Sequence, residues 1–122
     1  MTVLRFVVPG PPVPKARARV VRTGGKVRSF TPAKTARYER AVGAYALQAR
    51  LLVPRWPLDA SYAVQVHVYR AARRGDADNF LKGAIDGCNG VLWGDDRQVR
   101  RTFAELHDGE TPRLEISVEV LT

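Results

Sequence analysis

The chain has 122 residues, of which 45% are apolar and 26% charged, and a formal net charge of +8. That length supports one domain, residues 1–122, built on one core. No apolar run reaches the roughly 20 residues of a membrane span, the lone Cys88 excludes an internal disulfide and a multi-cysteine zinc site, and the N-terminus lacks the features of a signal peptide, so an intracellular protein is expected.

Charge is unevenly spread. Residues 1–40 hold ten lysines and arginines and a single acid, Glu39. A field of that sign attracts a polyanion, nucleic acid being the commonest in a cell. A generic solvated basic surface is the plainer alternative.

In chain order, residues 3–8 (VLRFVV) read as a strand, and the prolines from Pro9 to Pro14 break regular structure. The basic stretch KARARVVRTGGKVRSF then reads as a hairpin turning at Thr23-Gly24-Gly25. Arg17 and Arg19 would share one of its faces. Thr31-Pro32 opens a helix, with Thr as cap and Pro in the first turn. Its stripe is Tyr38, Ala41, Val42, Tyr45, Ala49 and Leu52, and Pro54 and Pro57 end it. Residues 62–69 alternate, with Tyr62, Val64, Val66 and Val68 on one face and Gln65 and His67 on the other. Residues 79–92 read as a second helix with Phe80, Ala84, Ile85, Cys88 and Val91 inward. Residues 98–106 and 113–120 give two more strands around a turn at Asp108-Gly109. The order predicts an α+β fold, a mixed α/β sandwich: a mixed β-sheet with an N-terminal hairpin, covered by two helices.

Five of the seven aspartates lie in residues 73–99: Asp76, Asp78, Asp86, Asp95 and Asp96. Arg73, Arg74, Arg97, Arg100 and Arg101 bracket them. Asp76 and Asp78, two apart in extended chain, can present carboxylates to one side. Once the helix runs, Asp78, Lys82 and Asp86 share a face at steps of about 6 Å. Helix capping by Asp78 or Asn79 and an ordinary salt-bridge ladder would account for this octapeptide equally well. The pair Asp95-Asp96 shifts the balance. If the following strand returned it to the first cluster, three or four carboxylates would crowd one spot and repel unless a cation held them. Hard oxygen ligands without His or Cys suit Mg²⁺ or Mn²⁺. The ion would polarise a phosphodiester and acidify water, and Lys82 would neutralise charge gathering on the phosphate or orient the attacking water.

The run D76-A-D78-N79-F-L-K82, then Asp86, then N89-G90-V-L-W93-G-D95-D96-R-Q98-V99, resembles the RusA family of Holliday junction resolvases. The N-terminal P-G-P-P-V-P-K-A-R-A-R followed by F-T-P is similar as well. The resemblance implies a small RusA-like homodimer that nicks two opposing strands of a four-way DNA junction symmetrically with Mg²⁺ or Mn²⁺. It implies 5′-phosphate products, a cytoplasmic, nucleoid-associated setting, and frequent phage or prophage origin. By the same resemblance Asp76, Asp78 and Asp96 are essential acids and Lys82 the essential lysine, with Asp95 as a further ligand and Asp86 in support. Two nicks related by a two-fold axis call for two sites related by that axis. Lys15, Arg17, Arg19, Arg28, Arg73 and Arg74 are the candidate DNA contacts. A non-catalytic basic nucleic-acid-binding module, and a metal nuclease acting on other branched DNA or on RNA, are the competing readings.

Other reactive side chains are set aside. His67 and His107 lack metal-ligand spacing and read as surface or hydrogen-bonded histidines. Cys88 reads as a small core residue, and Trp93 as packing beneath the acids. Trp56 is uninformative.

Overall fold

A computed structural model describes residues 2–16 and 19–121, with residues 19, 21 and 28–30 described by backbone only. The first strand, β1 (Val3–Pro9), is followed by the hairpin β2 (Arg19–Thr23) and β3 (Lys26–Phe30). Gly24 and Gly25 join the hairpin with φ of +57° and +77°, the pair of left-handed residues that a two-residue turn between twisted strands requires. Helix α1 (Ala33–Leu51), strand β4 (Tyr62–Arg70) and helix α2 (Ala77–Cys88) follow, then β5 (Val99–Asp108) and β6 (Arg113–Val120).

Four strands form one mixed sheet in the order β1-β6-β4-β5, and β2–β3 stand as a separate two-stranded sheet. β6 is antiparallel to both β1 and β4, with Val3 opposite Glu119 and Tyr62 opposite Val120. β5 is parallel to β4, running from Tyr62 opposite Val99 to Arg70 opposite Asp108. Helix α2 is the crossover between these two parallel strands. The period-2 pattern of β4 holds: Tyr62, Val64, Val66 and Val68 are buried. They join Leu4, Val8, Leu114, Ile116 and Val118 on the face that the helices cover. Helix α1 packs over β1, α2 over β4 and β5, and the helices pack on each other. They cross closely, since a Cβ on Gly87 would lie 2.8 Å from Val42 Cβ and one on Gly43 would lie 2.9 Å from the Gly87 carbonyl.

Local details differ from expectation. Pro32, not Thr31, takes the N-cap position of α1, and no side chain caps that helix. Leu52 lies beyond the helix and is 84% exposed; the buried stripe is Thr35, Val42, Ala46 and Ala49. Helix α2 starts two residues earlier than its periodicity suggests and ends at Cys88, because Asn89 turns extended and Gly90 takes φ +80°. Among the described residues, no helix is long and apolar enough to cross a membrane.

Candidate active site

The aspartates divide into two groups joined by α2. The first stands where β4 gives way to the helix. Arg70, the last residue of β4, donates to both Asp108 carboxylate oxygens at 2.8 and 2.9 Å and to the Gly75 carbonyl at 3.1 Å. This ties the ends of the parallel strands to the loop before α2. Gly75, at φ +91°, passes so close to the Phe80 ring that a Cβ would sit 2.7 Å from it. The chain then delivers Asp76 to the N-cap position of α2 and Asp78 to its first turn.

Neither Asp78 nor Asn79 takes the N-cap position. Asp76 does, yet it makes no side-chain capping hydrogen bond. Capping therefore does not explain the acid there. Asp76, Asp78, Lys82, Arg73 and Arg74 are all exposed.

The second group lies at the other end of α2. Asp86, one helical face along from Asp78 and Lys82, is gripped by Lys15 at 3.0 Å. Lys15 also pairs with Glu39 on α1. Its backbone N–H donates to the Asn79 carbonyl at 3.0 Å, laying the proline-rich segment along α2. Lys15, a candidate DNA contact by sequence, thus sits between two carboxylates. Its ammonium is held above the ordinary lysine value: burial works against the charge, and the two acids outweigh it. Glu39 was missed as a partner, although being the single acid in the first 40 residues was a signal.

Asp96 joins Asp86 in this second group. Its Oδ1 accepts from the Trp93 indole N–H at 3.3 Å. Its carboxyl is nevertheless raised above the ordinary range, first by partial burial and then by the adjoining Asp86 and Asp95, the indole opposing. The loop carrying it is rigidly built. Trp93 and Leu92 are fully buried, and Tyr62 lies between the rings of Trp56 and Trp93 at 5.7 and 5.5 Å. The Trp56 indole donates to the Leu92 carbonyl at 2.9 Å. Gln98 accepts from the Asp95 N–H at 2.9 Å and donates to the Leu58 and Ala60 carbonyls at 2.8 and 2.9 Å. Asp95 closes a capping box on the short 3₁₀ turn Asp96–Gln98. The Arg97 N–H and guanidinium hold its carboxyl below the usual range. Most polar side chains of N-G-V-L-W-G-D-D-R-Q-V thus have a structural task. Asp96 has an unfavourable one.

The two groups do not meet within one chain. Asp78 and Asp86 are eight helical residues apart, about 12 Å. The parallel register sets Asp76 beside the Arg70–Asp108 end of the sheet and Asp96 beside the Tyr62–Val99 end. The strands between them span roughly 26 Å. The expected crowding of Asp76 and Asp78 with Asp96 is therefore not formed in a single chain: a crossover helix carries its two ends to opposite ends of the sheet. Instead the carboxylates form a line along α2. Arg17 lies outside the described residues, and Arg19 and Arg28 are placed only by their backbones in β2 and β3.

The hard oxygen donors suit a divalent ion such as Mg²⁺. Asp86 stands near enough to Asp96 to raise its carboxyl, and two neighbouring carboxylates gain from a shared cation, which fits such a group.

The family model described as Endodeoxyribonuclease RusA matches residues 9–119. An uncharacterized protein of Bacillus subtilis (strain 168), YqaN, is 29% identical over 140 aligned positions, covering 97% of this chain and 96% of that protein. Among solved structures, the protein Atu1372 of Agrobacterium tumefaciens, of unknown function, aligns with TM-score 0.45 and 12% identity over 88% of this chain and 76% of its own.

Proposed function

The chain belongs to the RusA endodeoxyribonuclease family, and from that premise we propose that it resolves four-way DNA junctions by paired symmetric nicks leaving 5′-phosphates. Mg²⁺ is the cofactor, with Mn²⁺ as substitute. The observation that carries this reading is the line of carboxylates on α2, which begins with the uncapping Asp76 and ends at the Asp86–Asp96 pair.

Asp76, Asp78 and Asp96 would hold the ion, with Asp86 in support; Asp95 serves mainly to shape the loop. When bound, the ion polarises the scissile phosphate and acidifies water. The chain's own residues do the rest. Lys82, exposed one turn from Asp78, offsets negative charge on the phosphate. Arg73 and Arg74 flank the same end and draw the DNA backbone in. Lys15 and Trp93 fix the carboxylates of Asp86 and Asp96.

The separation of the two acid groups favours a homodimer. Two copies related by a two-fold axis could set the Asp76–Asp78 end of each against the Asp86–Asp96 end of the other. That closes two centres at once, one for each nick.

The test gives purified protein a synthetic four-way junction, a linear duplex and a single strand, each with Mg²⁺ or with EDTA. Paired nicks on the junction alone, and only with Mg²⁺, are expected. Metal-independent cutting, or binding without cutting, would overturn the assignment.

A further inference from the structure

The sheet face turned away from the helices carries a second group of ligating side chains, hidden in the sequence because its members lie 38 and 40 residues apart. In the parallel register, His67 stands opposite Glu105 and Tyr69 opposite His107. Glu105 and His107, two apart on β5, share the face of His67. His67 Nδ1 and His107 Nε2 are 3.0 Å apart, and His107 Nε2 is 3.3 Å from Glu105 Oε1. One donor atom from each of the three falls within 4.8 Å of the others.

We propose that His67, Glu105 and His107 form a binding site for a borderline divalent transition metal ion, with Zn²⁺ as the physiological occupant, separate from the oxygen-only line on α2. The spacing supports this directly. A tetrahedral ion with bonds of about 2.0–2.1 Å has ligand atoms roughly 3.3 Å apart. The separations of 3.0 and 3.3 Å lie at or just below that edge. Two imidazoles and a carboxylate favour Zn²⁺, Co²⁺, Ni²⁺ or Cu²⁺ over Mg²⁺. Three protein ligands leave a fourth position for water.

The surroundings are built to hold the rings. The Gln65 amide lies 2.9 Å from His67 Nε2. The near amide atom is the Gln65 nitrogen; with Nδ1 on the ion, Nε2 would carry the proton and the amide would turn its oxygen round to accept it, the second contact that metal-bound histidines commonly make. Tyr69 stacks on His107 at 4.5 Å and 14°, and the Arg113 guanidinium sits 3.6 Å from the centre of the Tyr69 ring. Phe103 flanks His67 at 5.7 Å. An ion here fastens the edge strand β5 to β4 across the open face. Because it binds the folded sheet and not the unfolded chain, it stabilises the fold by mass action.

The experiment titrates the untagged full chain with Co²⁺, the coloured stand-in for Zn²⁺, in excess Mg²⁺, and separately follows melting with Zn²⁺. Wild type should take up Co²⁺ with a visible absorption band and melt higher with Zn²⁺. His107→Gln and Glu105→Gln should weaken binding on the order of 100-fold, and Gln65→Leu about tenfold. Asp78→Asn should keep the band, since it touches only the oxygen-ligand line. If His107→Gln does not fold, the exposed Glu105→Gln decides. No uptake by wild type, displacement of Co²⁺ by Mg²⁺, or wild-type affinity in Glu105→Gln would overturn the site.

Discussion

Asp76 and Asp95 occupy the same kind of position, the residue just before a helical turn, and use it differently. Asp95 accepts the Arg97 N–H at 2.8 Å and is spent on its own loop. Asp76 makes no such capping bond, and among the described residues no hydrogen bond or ion pair holds its carboxylate. From sequence, Asp78 or Asn79 is the expected cap of α2 and no helical turn is expected after Asp95; which acid caps depends on a side-chain torsion set by the surrounding fold. The Asp76 and Asp78 carboxylates carry the residue-level prediction. Asp78→Asn should reduce junction cleavage about 100-fold or more, by removing a ligand worth several kcal/mol. Junction binding should be kept or strengthened, because one repulsive charge is gone. Cleavage assays beside gel-shift titrations check both, and wild-type cutting by this variant would refute the role. Lys15 shows the reverse lesson: a lysine in a basic run reads as a phosphate contact, yet its charge is already shared between Glu39 and Asp86.

At the scale of elements, two glycines four residues apart on α2 should respond oppositely to alanine. At Gly87 the new methyl would meet Val42 at 2.8 Å, whereas at Gly83 its nearest neighbour is 3.7 Å away, ordinary contact. Gly87→Ala should therefore destabilise by about 1–3 kcal/mol. Gly83→Ala should be neutral or stabilising by up to about 1 kcal/mol through helix propensity. Urea unfolding of the two variants separates these outcomes, and equal midpoints would contradict the close helix crossing. The Arg70–Asp108 clasp supplies a pH test. Arg70 holds the Asp108 carboxyl below its ordinary value of 3.8. The pair's stabilisation is thus present above that value and lost as pH falls through the lower folded-state one. Asp108→Asn should melt below wild type at neutral pH, with the gap closing under strong acid; a gap that persists there would exclude the clasp as its cause. Strand and helix identities were legible because periods of 2 and 3.6 are local. The end of α2 was less so, since Val91 continues the apolar pattern past the turn at Gly90.

For the whole molecule, sequence periodicity could not supply the pairing order that places β6 between β1 and β4. Nor could it supply the parallel register that parts Asp96 from Asp76 while joining His67 to Glu105. Both depend on contacts between distant segments. The parted acids make a strong prediction about assembly. Mix Asp78→Asn with Asp96→Asn, each inactive alone. If the centres form between copies, the mixed dimer contains one intact centre and one doubly altered, so single-strand nicks should reappear. If every centre lies within one chain, no mixture can cut. Nicking assays on re-paired subunits read the difference. A last consequence follows from the sheet ending at β1 on one side and β5 on the other. Each outer rim offers unpaired peptide groups to any passing strand, the usual seed of fibrous stacking. β1 runs into Pro9, with Pro11 and Pro12 just beyond, residues that lack the N–H a stacking neighbour would need. β5 opens with the exposed Arg100 and Arg101. Their guanidinium groups stay charged at any physiological pH, so like repels like whenever two such rims approach.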